Sequence, residues 1–215
     1  MPRPRLFQAT IILLSATAVA CSSGSGGANS APAPAEHSLS GIAAQHVAVL
    51  PTYVVRVDAF PTPIDRPADI ERQMDADIVA AMEERGLKRN WIFPERLAQT
   101  ARRNSTYATD PYAFAEEPLR APSLPYDRPL PEPLASQIRT LVAFEQDVRL
   151  VLAPVELRLE KAGTGGRGVL HLVLIDARTS QPQWIGDIPG DTVSAYGPKV
   201  TASIAARLAA VIAPR

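Results

Sequence analysis

The sequence predicts an α/β fold, a mixed and mostly antiparallel sheet packed with helices. Three observations carry this. A Val- and Leu-rich segment, "HVAVLPTYVVRV" (46–57), is followed by helix-periodic residues over 67–86. Three strand-like segments then succeed one another through short turns between 147 and 188. An amphipathic helix pattern closes the chain over 195–213.

The first segment reads as a buried strand broken at Pro51, because proline supplies no ladder donor. Residues 67–86 read as a helix. Pro67 suits a first turn, Asp69 and Glu71 complement the positive end of the helix dipole, and Gly86 is a natural stop. Ile70, Met74, Ile78 and Met82 recur every four residues, a core-facing stripe widened by Val79 and Ala81. Asp75 and Asp77, with Asp69 and Glu71, read as the solvated acidic face of that helix. Trp91, ahead of a short helix over 94–103 opened by Pro94 with Leu97 and Ala101 inward, is expected in the core, with an interface anchor as the alternative for it and for Trp184. Residues 105–133 then break every pattern. Pro111, Pro118, Pro122, Pro125, Pro129, Pro131 and Pro133 interrupt them, with Tyr107, Tyr112, Phe114 and Tyr126 in between. Loops this long are uncommon in compact domains and are usually functional or disordered. The segment is either an inert insertion wrapped over the surface or a partner-contacting one, and its four aromatic residues are the candidate contacts.

A helix is expected from about Pro133 to Glu145, with Leu134, Ile138, Leu141 and Val142 inward. In the strand over 147–160, Val148, Leu150 and Leu152 alternate, and Val155, Leu157 and Leu159 resume after a hitch at Pro154. "AGTGGRG" turns the chain. "VLHLVLID" (169–176) is apolar on both faces, as a central strand should be. "ARTSQP" turns again, and "QWIGDI" is the last strand, with Trp184 plugging the space between sheet and final helix. That helix places Val200, Ile204, Leu208 and Val211 on one face.

The amino terminus has a different character. A positive start (Met1 to Arg5) leads into an apolar run, Leu6 to Ala20, which ends in the small residues Ala18-Val19-Ala20 directly before Cys21. This is the layout of a secretory signal. The run is shorter than the roughly 20 apolar residues that span a bilayer. Cys21 is the only cysteine, and a Ser/Gly/Ala/Pro-rich stretch follows it, a composition too polar to fold and suited to a flexible tether. The predicted organisation is a signal over 1–20, a tether over 21–45 and a single α/β domain over 46–215 that carries the Pro-rich insertion 105–133. The segment before Cys21 resembles a bacterial lipoprotein lipobox, with Ala18 where Leu is usual. The resemblance implies that Cys21 is diacylated through sulfur, released as the new amino terminus and acylated there. Stable anchoring takes two or more such chains. Ser22 after the cysteine implies the outer membrane, with the domain in the periplasm.

Removing residues 1–20 takes away Arg3 and Arg5 and no acid, leaving 20 basic and 22 acidic residues, a formal charge of −2. No nucleic-acid footprint or basic stripe for anionic lipid is expected from that balance. "GTGGRG" (163–168) fits G-x-G-x-x-G by letter, but a dinucleotide site needs the turn to enter a helix, and here a strand follows. The three histidines are His37, His46 and His171, and none has metal-ligand spacing. His171 reads as a half-buried structural residue. "ARRN" (101–104) reads as cations at a helix carboxy terminus. No cofactor, metal or catalytic residue is expected.

The last third resembles periplasmic envelope proteins that share an α/β core. They include the amino-terminal domain of the Tol-Pal protein TolB, the curli secretion lipoprotein CsgG and the penicillin-binding-protein activator LpoB. There a hairpin strand ends in Leu-x-Asp-x-x-Thr-Gly and a Trp-containing strand follows. Leu174, Asp176, Thr179 and Trp184 take those places here, with Ser180 in place of Gly. The likeness covers about residues 46–104 and 134–213. It implies a fold more than a function, since members assemble pores, activate enzymes or contact scaffolds. The expected function is a lipid-anchored, non-enzymatic accessory or scaffold protein of the envelope that binds another envelope protein. The alternatives are a self-assembling subunit of a secretion or transport complex, and a small-ligand binder or hydrolase with a dispersed site.

Overall fold

The computed structural model describes residues 39–58, 60–62, 64 and 66–214. Cys21 and most of the expected tether lie outside them. The elements are β1 (Val47–Val49), β2 (Val54–Val57), α1 (Pro67–Glu84), β3 (Trp91–Ile92), α2 (Pro94–Arg103), α3 (Leu134–Val142), β4 (Leu150–Ala162), β5 (Gly165–Asp176), β6 (Gln181–Pro189) and α4 (Lys199–Ile212). The fold is α/β, a mixed six-stranded sheet in the order β3-β1-β4-β5-β6, with β2 also paired to β4. The parallel pairings of β1 with β3 and β4, and of β2 with β4, are short. The antiparallel ladders β4–β5 and β5–β6 are long, so antiparallel pairing dominates.

The two proline hitches act together. β1 runs beside Leu150–Leu152 and β2 beside Glu156–Leu159. The gap between them at Pro51 faces a register shift in β4 between Pro154 and Glu156. Such a bulge resets which residues face which side. Before it, Leu150 and Leu152 pack towards α1 and α4, while Val151, Ala153 and Val155 pack towards α2 and α3. After it, Leu157 and Leu159 still face α1 and α4, so Glu156, Arg158 and Glu160 turn to the other side. One sheet face is therefore covered throughout by apolar contacts. The other is covered over only part of its length and carries charge over the rest.

The α1 stripe of Ile70, Met74, Ile78 and Met82 is buried as the periodicity predicts. Burying each such side chain is worth roughly 1.5–3 kcal/mol. That outweighs the missing side-chain cap at Arg66, since a cap contributes about 0.5–2 kcal/mol. In α4 the fourth buried position is Ile212, and Val211 is exposed. The spacing of four that joins Val200, Ile204 and Leu208 continues to 212, one residue beyond the expected Val211. Leu39 and Ile42 belong to the same core, so folded structure begins inside the expected 21–45 tether. Residues 105–133 are ordered by short 3-10 turns at Pro111–Ala113 and Glu117–Arg120, and Ala108, Phe114, Leu119 and Leu130 are buried in the core on the α2/α3 side.

Candidate functional site

Two concave regions stand out, and each takes one tyrosine from the 105–133 segment. The first is a cleft of about 600 Å³ at the β3 edge, lined by α1, by Trp91 and Phe93, by the start of α2 and by Tyr112. Its position follows from local sequence. The α1 stripe turns inward at positions 74, 78 and 82, which leaves Asp75, Ala76, Val79 and Glu83 along the border of the helix facing the gap. β3 is only two residues long, and Pro94 starts α2 at once.

Asp75 is half-buried in this cleft, and its Oδ1 accepts a hydrogen bond from the Thr52 amide at 2.8 Å. It is therefore not part of a solvated acidic face, as its place beside Asp77 suggested. Asp77 is half-buried as well, with Oδ1 accepting from Gln73 Nε2 at 2.8 Å and Oδ2 buried without a partner. Burial pushes the Asp75 carboxyl up to about 6, against the pull of hydrogen bonding from Thr52, and the charge of Glu71 adds to the rise. The cations around the cleft are occupied: Arg72 by Asp69, Lys88 by Glu83 at 2.6 Å, and Arg96 by Glu145 at 3.1 Å. Among the described residues no ion pair engages Asp75 or Glu95, so the uncompensated charges lining the cleft are both negative. The Tyr112 phenol feels them: burial raises its pKa first, then the charges of Asp75, Asp110 and Glu95, with the Arg102 cation pulling the other way. Trp91 is 3 % exposed, and its Nε1–H is buried with no acceptor. Tyr53, whose hydroxyl donates to the Pro111 carbonyl at 3.0 Å, ties the Tyr112 turn to the sheet.

The second region is a basin of about 720 Å³ over the uncovered part of the sheet, with Arg120, Leu124 and Tyr126 at its rim. Cross-strand register sets Glu156, His171 and Asp187 side by side on β4, β5 and β6. His171 Nδ1 lies 2.7 Å from Asp187 Oδ1, and Arg158 pairs with the same carboxylate. Arg56 bridges Glu156 and Asp58, at 3.2 Å to each. Burial pushes Asp187 up, but hydrogen bonds from His171 and Arg158 outweigh it and hold the carboxyl below its usual range. His171 is thus part of a hydrogen-bonded polar network on the sheet and not only a structural residue. A histidine held by a carboxylate is the arrangement of a general base. Ser123 lines the same basin, but among the described residues no hydrogen bond joins its hydroxyl to His171.

The four candidate contact residues separate cleanly. Tyr107, Tyr112 and Tyr126 are exposed, at 75 %, 54 % and 37 %. Phe114 is 4 % exposed and packs into the core, so its ring anchors the segment and is unavailable to a partner. Sequence reasoning missed the two concavities because their residues come together only through sheet register and helix placement. Of their members it offered only Tyr112 and Tyr126 as contact residues, and it placed Trp91, Val79, Pro94 and His171 in structural roles and Asp75 on a solvated face.

The "GTGGRG" glycines serve packing. Gly163 takes φ +60° in the β4–β5 turn, and a side chain on Gly165 would meet the Val193 carbonyl oxygen at 2.3 Å. From Gly165 onward the motif is already strand β5, so no helix terminus faces it. The Leu-x-Asp-x-x-Thr stretch closes the next hairpin. Asp176 Oδ1 accepts from the amides of Arg178 and Thr179, and Ser180 adopts φ +56°, the left-handed region that favours glycine. Trp184 is half-buried and packs on the α1/α4 core, its ring lying over Gly186. Among the described residues, no helix is long and apolar enough to cross a membrane, and no group of three His, Cys, Asp or Glu side chains could hold a metal ion.

No protein-family model matches the chain, and no curated protein does. Among solved structures, the chain is similar to the PelC dodecamer from Paraburkholderia phytofirmans, at 16 % identity, over 80 % of this chain and 90 % of that one, with a TM-score of 0.31. A point variant of that PelC dodecamer gives 16 % identity, 79 % and 89 % coverage and a TM-score of 0.30. Likeness at this level carries neither a fold nor an assembly over to the present chain.

Proposed function

We propose that this protein is a lipid-anchored, non-enzymatic accessory protein of the bacterial cell envelope. Cys21 is its anchor in the outer membrane, and the domain lies in the periplasm and binds another envelope protein. The observation that supports binding is the build of the 105–133 segment. Phe114, Leu119 and Leu130 fix it to the core, while Tyr107, Tyr112 and Tyr126 face outward. Rigidly mounted, exposed aromatic side chains are the usual energetic anchors of protein interfaces, since they bring large apolar area at little entropic cost. The lipobox resemblance and the tether composition support the anchor.

The reading is tested in two steps. Labelled palmitate should enter the wild-type protein and not the Cys21→Ser variant, which should leave the membrane fraction. A Tyr107→Ser, Tyr112→Ser, Tyr126→Ser variant should fold normally and lose a protein that co-purifies with wild type from solubilised membranes. Unchanged recovery removes the segment from the account. A second reading, a small-ligand binder or hydrolase, is favoured by the His171–Asp187 pair in the basin. It predicts a ligand whose binding is abolished by His171→Ala.

A further inference from the structure

We propose that the cleft between α1 and α2 receives a basic side chain, lysine or arginine, from the protein partner, with its charge against Asp75 and its stem against Trp91, Phe93 and Tyr112. This rests on the partner-binding reading above and specifies its chemistry. Ligand clefts are mostly apolar with a few placed polar groups, and this one has that composition. Its walls are aromatic, and aromatic faces attract cations. Its fixed charges select the sign. Arg72, Lys88 and Arg96 are each held by an acid, whereas Asp75 and Glu95 have no ion pair among the described residues. A cation entering the cleft meets two unpaired carboxylates. An anion meets the same two, and the residues lining the cleft offer it no unpaired positive group; Arg102, the one cation that acts on Tyr112, is not among them.

The second observation is independent of charge. The Trp91 indole N–H is buried without an acceptor, and a buried unmet donor is costly. Trp91 lines the cleft, and a peptide carbonyl next to the entering side chain would meet this donor once the indole turns towards it. The basin offers no comparable selection, because Arg56, Arg158 and His171 are already paired with Glu156, Asp58 and Asp187. The elevated Asp75 pKa fits a carboxylate that lacks the cation it was placed to meet.

The test uses the full-length protein in detergent, carrying Trp184→Phe so that Trp91 is the sole tryptophan. Its indole N–H resonance is followed at pH 7.5 during titration with acetyl-lysine amide, with uncharged acetyl-norleucine amide and with butylammonium. The expected result is a saturable shift with the lysine compound and at least tenfold weaker binding of the norleucine compound. Asp75→Asn should weaken lysine binding at least tenfold, while Asp187→Asn in the basin leaves it unchanged. Asp75→Asn keeps an acceptor for the Thr52 amide, so its fold is expected to persist, and an unchanged amide spectrum confirms that. Equal binding of lysine and norleucine compounds, or unchanged binding in Asp75→Asn, overturns the proposal. So does butylammonium binding tenfold more tightly than the lysine compound, which would place a free amine in the cleft. The titration needs neither lipid nor partner. Its failure therefore removes the cleft alone, whereas failure of the tyrosine-dependent co-purification removes the partner reading.

Discussion

Asp75→Asn should make the protein more stable at neutral pH, and the gain should depend on pH in a calculable way. The carboxyl moves from its ordinary 3.8 to about 6 on folding, chiefly because burial disfavours its charge. The folded chain holds the proton more tightly than the unfolded chain does. The resulting stability is fully present below pH ~4 and lost as pH rises through about 6. Each pKa unit is worth about 1.4 kcal/mol, so the loss by pH 7.5 is roughly 1–3 kcal/mol. That is a sizeable part of the 5–15 kcal/mol typical of a domain. Asparagine cannot ionise and avoids the loss. Glu71 is shifted in the same direction by its own burial, and Asp187 in the opposite one. Both are present in the two proteins and largely cancel. Urea denaturation at pH 4, 5, 6 and 7.5 gives the difference directly. It should be small at pH 4 and grow by roughly 1–3 kcal/mol by pH 7.5. A difference that stays constant with pH refutes the burial of an ionised Asp75.

Ser180 tests the hairpin turn. Ser180→Ala keeps a side chain at φ +56° and loses the 2.8 Å hydrogen bond from Arg139 Nη1, so it should cost about 1–2 kcal/mol. Ser180→Gly loses the same bond but relieves the backbone by about 1 kcal/mol, and should melt above Ser180→Ala. The reverse order would contradict the turn. Gly165→Ala brings a Cβ to 2.3 Å from the Val193 carbonyl, which already accepts from the Gly166 amide at 2.8 Å. Two backbones must separate, at about 1–3 kcal/mol. Gly41→Ala, with open space around it, serves as the near-neutral reference by thermal melting. Phe114→Ala should cost about 3–5 kcal/mol by urea denaturation, and Tyr107→Ala no more than about 0.5 kcal/mol. Equal effects would mean that the segment does not rest on its phenylalanine.

Periodicity made the regular elements legible. The four-residue repeat in α1 identifies its buried face, and the hitch at Pro154 marks the β4 bulge. β3 was invisible because two residues are too few to show a period. Leu39 and Ile42 were missed because single apolar residues among small polar ones carry no pattern. The prolines of 105–133 exclude long helices and strands but not order, since proline suits the opening of a 3-10 turn, as at Pro111 in its first position and Pro118 in its second. The cleft left a faint trace. Asp75 lies four residues before Val79 of the widened stripe, so the spacing itself puts an acid on the border of the core. The basin's polar alternation, Glu156, Arg158 and Glu160 against Leu157 and Leu159, shows an uncovered strand face. That His171 sits between Glu156 and Asp187 depends on register across two hairpins, which spacing along the chain does not encode.

The most direct test of partner binding places a photoreactive phenylalanine analogue at position 112 in intact cells, with position 211 on the opposite helical layer as reference. Irradiation should give one discrete adduct to another envelope protein from 112, found in the membrane fraction, and none from 211. No adduct from 112, or the same adduct from both positions, would contradict the account.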